Sequence, residues 1–227
     1  MATYLQLSQT VARESGSIDP ATITNVTGLT GRPAKIVAWV AQAYNNIQIS
    51  RRGWGWLRQT FSQPLTPGTN VYTAASFNLT RFSNWLPDDP KGYCPVTLYD
   101  PAKGVADEGP LRQITYELWR TKYDRGDQTN LMRPVDWAIS PRDEIVFGPK
   151  PDLAYVVRGE YQKGPQALAA STDVPEMPAR FHDMIVWEAI RLSMLHDGAY
   201  QEAQFPTMEM LSLRHELERD QLPEITI

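Results

Sequence analysis

The sequence of 227 residues has little of what redox, metal-binding and membrane proteins need. Its single cysteine, Cys94, has no partner for an intrachain disulfide and no second thiol or histidine cluster beside it. No apolar run approaches the roughly 20 residues that span a bilayer. The first residues show neither the basic start nor the apolar stretch of a signal peptide. We therefore expect no metal, no cofactor, no membrane contact and a chain made in a reducing host cytoplasm.

The usual catalytic patterns are absent as well. There is no Gly-x-Ser-x-Gly turn and no phosphate loop, and the sequence at 53–55 lacks the third glycine of a dinucleotide site. His182 and His196 would lie about 20 Å apart on one helix, too far to share a metal ion. We interpret these two and His215 as partly exposed helix residues and predict that the chain is not an enzyme. A site formed between subunits is the one catalytic arrangement left open.

Basic charge is not in excess, since 22 Lys and Arg stand against 26 Asp and Glu, a formal net charge of −4. This balance argues weakly against a protein that binds nucleic acid by neutralising phosphates. The imbalance lies after residue 200, where only Arg214 and Arg219 are basic. The six acidic residues there are Glu202, Glu209, Glu216, Glu218, Asp220 and Glu224. We expect this acidic C-terminal segment to contact protein.

The aromatic content is large, with seven Trp, ten Tyr and six Phe, which favours a folded core and protein interfaces. Helical spacing of apolar residues predicts a first helix between Thr3 and Gly16. A second helix is predicted from Gly31 to about Gly53. A long helix should begin near Phe181, and a last helix should carry Met208, Leu211, Leu213 and Leu217 before an extended segment at 224–227.

The middle of the chain has short, partly alternating apolar segments between prolines and glycines, which predicts strands. The candidates are 57–62, 70–73, 93–99, 135–139, 144–147 and 155–161. Thr115 should cap one short helix that places Leu118, Trp119 and Tyr123 on or near one face. We predict an α+β protein, a helical bundle from residues 1–53 and 166–227 with a small antiparallel β subdomain inserted at 54–165.

Aromatic and basic residues alternate just after the second predicted helix, in the order Arg51, Arg52, Trp54 and Trp56. Such a cluster could stack single-stranded nucleic acid. Burial in the core or in a subunit contact is the favoured interpretation, because Trp56 precedes a predicted strand. The residues alone therefore indicate a non-catalytic, interface-rich α+β protein.

Several segments together resemble the head-to-tail adaptor (connector) proteins of tailed bacteriophages. They are 3–7, 31–40, 54–58, 172–187 and 218–223. The most specific is DVPEMPARFHDMIVW at 173–187, which looks like that family's entry into its long C-terminal helix. The resemblance implies a virion protein of the neck that forms a ring, commonly a dodecamer, beneath the portal. Such a ring continues the DNA channel toward the tail, with DNA passing without sequence specificity.

From this resemblance we hypothesise that the C-terminal segment reaches the portal, the helix docking and the last residues adding a strand to a partner edge. The residues assigned to this contact are Leu213, Leu217, Leu222, Pro223, Ile225 and Ile227. The alternative is that the helix closes the chain's own bundle. The loops at 88–92 and 104–109, with Asp88, Asp89 and Lys91, are expected to face the next tail or neck protein.

Ring closure needs a contact between two different surfaces of the subunit, and we assign the Arg51, Arg52, Trp54 and Trp56 cluster to it. Two other functions stay open from the sequence. One is another ring-like neck or tail-terminator component, and the other is a nucleic-acid-binding module that uses this cluster.

Overall fold

The computed structural model describes residues 1–88, 93–126 and 129–222, and mixes helices with two small β-sheets. The predicted α+β class is thereby confirmed. The chain divides into two compact units. Met1–Leu57 and Pro165–Ile227 form one, here called the helical unit, and Arg58–Gly164 form the other, here called the β unit.

The first two helices begin and end where local signals place them. α1 covers Tyr4–Ser15, with Thr3 and Gln6 forming a reciprocal capping box and Gly16 ending the helix in the left-handed conformation at φ 60°. α2 covers Gly31–Ile49. Its last residue precedes the predicted stop at Gly53 by four positions, so only the end of α2 differs from the expectation.

Two C-terminal helices complete the helical unit, α4 over His182–His196 and α5 over Gln204–Gln221. α4 packs against α1, α2 and α5. Side chains from all four helices are fully buried in the shared core, which includes Val11, Ile36, Ala43, Ile185 and Leu217. This core provides the hydrophobic stabilisation of the unit.

Two glutamines connect α2 to the segment near residue 166, where the chain re-enters the helical unit. The side chain of Gln48 donates to the Gln166 carbonyl at 3.0 Å and accepts from the Gln166 backbone N–H at 2.7 Å. The Gln166 carboxamide oxygen accepts from the Tyr44 hydroxyl at 2.8 Å and from the Glu176 N–H at 2.9 Å. Gln48 is buried, so these bonds satisfy polar groups that would otherwise be costly. We call this arrangement the glutamine clamp.

The first sheet of the β unit is built around its longest strand. Its strands are β1 (Arg58–Pro64), β3 (Phe82–Trp85), β4 (Thr97–Tyr99), β5 (Gly109–Pro110) and β9 (Val156–Lys163). β9 pairs with β1 along one edge and with β4 and β3 along the other, and β5 follows β4, all antiparallel.

The second sheet has the order β2, β8, β7, β6. These strands are β2 (Val71–Tyr72), β6 (Arg112–Gln113), β7 (Asp136–Ile139) and β8 (Ile145–Gly148). The β6–β7 pair is parallel and the others are antiparallel. Each of the six predicted strand segments therefore overlaps an observed strand, although the segment at 93–99 pairs only from Thr97 onward.

Glycine at position 159 allows the two longest strands to pack an aromatic cluster beneath them. Phe61 of β1 lies directly opposite Gly159 of β9, and a Cβ there would approach the Phe61 ring to 2.6 Å. The same ring contacts Phe77, Trp85 and Tyr161. A larger residue at 159 would displace Phe61 from the core of the β unit.

The sequence missed β3, β5 and β6, which are short and have little apolar alternation. The short middle helix also differs from its prediction. α3 covers only Tyr116–Trp119 and continues as a wider π-helical turn over Arg120–Asp124. Trp119 is buried, but Leu118 is exposed, so the predicted shared face is wrong for Leu118. The wide turn lets the Tyr123 ring lie over Gly148, where a Cβ would clash with it.

Candidate interaction surfaces

The C-terminal helix α5 buries one side against its own chain. Leu217 is fully buried, and Leu213 and Leu222 are partly buried against the core of the helical unit. These are three of the residues assigned to the portal from the sequence. The other three, Pro223, Ile225 and Ile227, lie outside the described residues. In the described part of this segment, α5 therefore packs against its own chain, which is the alternative interpretation given above.

The opposite side of α5 is exposed. Met208 is 70% exposed and Leu211 is 42% exposed. At 100° per residue these two point away from Leu213 and Leu217, so the apolar residues of α5 form two stripes. The sequence could not show this, because both stripes are apolar and only the packing of α4 decides which one is covered.

Ion pairs fasten the covered side of α5 and its neighbours. Glu218 accepts from Arg51 at 2.9 Å and from Arg214 at 3.1 Å, and Asp220 pairs with Arg180. Burial would raise the pKa of Glu218, but the hydrogen bonds from both arginines outweigh it, and the pKa is lowered. At the end of α4 the Arg32 guanidinium holds the pKa of Asp197 below its ordinary value.

The Arg51, Arg52, Trp54 and Trp56 cluster is divided between core and surface. Trp54 is fully buried, its indole N–H donates to the Ile47 carbonyl at 3.2 Å, and its ring stacks on Trp56 with centroids 4.5 Å apart. Trp56 is partly buried against the same core. Since Trp54 has no exposed ring face, it offers no surface for a base or for another subunit. The surface here comes from Arg51 and Arg52.

The loops expected to face the tail are more tightly held than predicted. Asp88 is half-buried and forms two hydrogen bonds with Gln113. The Asp88 backbone N–H donates to the Gln113 side chain at 2.7 Å, and the Gln113 backbone N–H donates to the Asp88 carboxylate at 3.1 Å. Asp89 and Lys91 lie outside the described residues. In the loop at 104–109, Asp107 pairs with Arg133 at 2.6 Å, and Val105 is exposed. The hydrogen bond from the Asp100 backbone N–H is the main cause that lowers the pKa of Asp107, and the hydrogen bond from Arg133 lowers it further.

A buried carboxylate that the sequence did not single out lies in the β unit. Asp136 of β7 accepts from Arg112 at 2.7 Å and from the Tyr123 hydroxyl at 2.7 Å, with Lys122 at 3.7 Å. Burial and the hydrogen bond to Asp136 raise the pKa of Tyr123 to about 12. These partners bond both carboxylate oxygens, so the cluster joins β7 to β6 and to the π-helical turn. The partners lie far apart in sequence, and no motif indicates them.

His182 was predicted to be partly exposed, and the structure shows that this is wrong. It is buried at the start of α4, with Nε2 at 3.1 Å from the Met177 carbonyl and no hydrogen-bond partner for Nδ1 among the described residues. Burial lowers the pKa of His182 below its ordinary value of 6.5. The prediction failed because neighbouring residues in space, rather than the helix itself, cover the ring.

This burial predicts a loss of stability at mildly acidic pH. Below pH 6.5 the imidazole of His182 binds a proton in the unfolded chain more readily than in the folded chain, because its pKa is lower in the folded chain. The free energy of unfolding therefore falls as pH falls. The slope should reach at most about 1.4 kcal/mol per pH unit. Urea unfolding of wild type and His182→Gln between pH 6.5 and 5 measures it, with the exposed His215→Gln as control. Equal slopes for wild type and His182→Gln would contradict the prediction.

No group of three or more His, Cys, Asp or Glu side chains in the described ranges is placed to hold a metal ion. Within the same ranges no helix combines the length and apolarity needed to cross a membrane.

Comparison with known protein families gives a match over nearly the whole chain. The family model described as SU10 adaptor protein matches residues 2–223. The chain belongs to the SU10 adaptor protein family. This is a family of structural adaptors of bacteriophages, so the protein is a virion component that interacts with other virion proteins such as portal and tail. No curated protein matches the chain.

Proposed function

We propose that this adaptor is the head-to-tail connector of its phage, a ring beneath the portal that joins it to the tail and continues the DNA channel. The match of the family across residues 2–223 carries this proposal. The proposal includes the arrangement predicted from the sequence, a helical bundle from residues 1–53 and 166–227 with a β subdomain inserted at 54–165. It also includes a dodecameric ring, passage of DNA without sequence specificity, and the absence of catalytic activity.

The helical unit contacts the portal in this proposal. Leu217 and the partly buried Leu213 hold α5 on its own core, so they position the C-terminal segment rather than touch the portal. Residues 222–227 then make the contact, with Leu222, Ile225 and Ile227 as apolar anchors of an added strand. Arg52, which is exposed, contributes to the contact between subunits.

The β unit faces the next tail or neck protein. The anchored loop at 104–109 presents Val105 in a fixed position, because Asp107 and Glu108 pair with Arg133 and Arg158. A loop held in this way loses little conformational freedom when a partner binds. Asp88, Asp89 and Lys91 belong to the same proposed contact.

Electron microscopy of the purified protein with and without purified portal tests this function. We expect a ring that attaches to the base of the portal, and a variant that lacks residues 223–227 should attach at least tenfold less tightly. A ring that ignores the portal would indicate a different neck or tail-terminator component. No ring, together with salt-sensitive binding of DNA, would indicate a nucleic-acid-binding module.

A further inference from the structure

The outward side of α5 carries an apolar surface that no described residue covers. We define the α5 outer face by five side chains that are 36–70% exposed: Leu195, Tyr200, Phe205, Met208 and Leu211. The helical unit has seven exposed large hydrophobic side chains among its described residues, and the two outside this face are Met1 and Ile49. Such concentration in one place is typical of an interaction site rather than of scattered surface residues.

The α5 outer face has a concave part and a ridge. A groove of about 350 Å³ lies where α4 ends and α5 begins, lined by Leu195, Tyr200, Ala203, Thr207 and Met208 together with the polar Arg191 and Gln204. Along α5 the ridge follows steps of three residues, from Phe205 through Met208 to Leu211. Phe205 is held edge-on against Trp187 with ring centroids 5.6 Å apart. A groove beside a fixed ridge suits insertion of apolar side chains from a partner.

Acidic residues without ion pairs border this face. Glu202, Glu209 and Glu216 have no salt bridge in the described part of the chain, whereas Glu218 and Asp220 nearby are both paired with arginines. A step of seven residues returns a helix to nearly the same side, so Glu209 and Glu216 lie along one flank of the apolar stripe. Two arginines also lie at this face: Arg219 at its far end, and Arg191 in the groove, where it is paired with Glu188. The border is therefore acidic overall.

We propose that the α5 outer face binds a surface of another virion protein in which apolar side chains are surrounded by Lys and Arg. This inference rests on the proposed function, because we take the portal to be the protein that carries this surface. A second copy of the chain is the alternative occupant, and the oligomeric state of the free protein distinguishes it from the portal.

Binding of purified protein to purified portal rings tests the inference. The double variant Met208→Ser/Leu211→Ser should bind at least tenfold more weakly, because it removes two apolar anchors from positions that do not support the core. Ile49→Ser is the matched control, since Ile49 is 61% exposed in the same unit. It should bind as wild type does. Glu209→Lys/Glu216→Lys should also bind more weakly and show a weaker dependence on salt.

Three results would overturn the inference, and they are distinguishable. Equal portal binding by wild type and Met208→Ser/Leu211→Ser would reject the α5 outer face while leaving the proposed function intact. A change in the oligomeric state of the free double variant, measured by sedimentation, would make this face a contact between copies. Absence of portal binding by the wild type would reject the proposed function, and this inference with it.

Discussion

Replacing Trp54 by alanine should lower the free energy of unfolding by about 3–5 kcal/mol, the cost of removing a large aromatic side chain from a closed core. Trp54 is fully buried, stacks on Trp56 and donates to the Ile47 carbonyl. Truncation leaves a cavity and removes this hydrogen bond, although the Ile47 carbonyl still accepts from Ser50. Urea unfolding monitored by helical circular dichroism measures the change.

Two comparisons show whether Trp54 acts in the core or at an interface. Trp54→Phe keeps most of the apolar volume but loses the hydrogen bond, so it should lower the free energy of unfolding less than Trp54→Ala does. If Trp54 were an interface residue, Trp54→Ala would leave the unfolding curve of dilute protein unchanged and weaken self-association instead. That outcome would contradict the packing described above.

Leu217→Ala should lower the free energy of unfolding by about 2–5 kcal/mol, because Leu217 is fully buried between α5 and the rest of the helical unit. Leu211→Ala makes the same chemical change on the other side of α5 and should alter stability by no more than about 0.5 kcal/mol. The pair separates the two stripes of the helix. Similar losses for both variants would show that α5 is not packed by the Leu217 side.

Local signals in the sequence predicted the parts of the fold that depend on neighbours along the chain. Thr3 and Gly16 delimit α1 because a capping hydroxyl and a left-handed glycine act within one helical turn. The strand segments were found because turns and β-branched or aromatic residues mark them locally. β5 and β6 were missed because two residues contain no period to detect.

The surfaces were less predictable, since they depend on which side of each element is covered. His182 and Trp54 look the same in sequence whether they are exposed or buried. Along α5 the sequence supplied the correct helix and the correct acidic character, but only the position of α4 shows that Leu217 is inside and Met208 outside. The same limit applies to Asp136, whose partners come from two other segments, β6 and the π-helical turn.

The glutamine clamp has a consequence for the order in which the chain folds during synthesis. Gln48 bonds to a residue 118 positions later, and the β unit lies between them as one continuous segment. A nascent chain therefore has all of the β unit available before Gln166 and α4 emerge from the ribosome. Until then α1 and α2 expose Val11, Ile36 and Ala43 to solvent, and we expect this interval to be the aggregation-prone stage of biosynthesis.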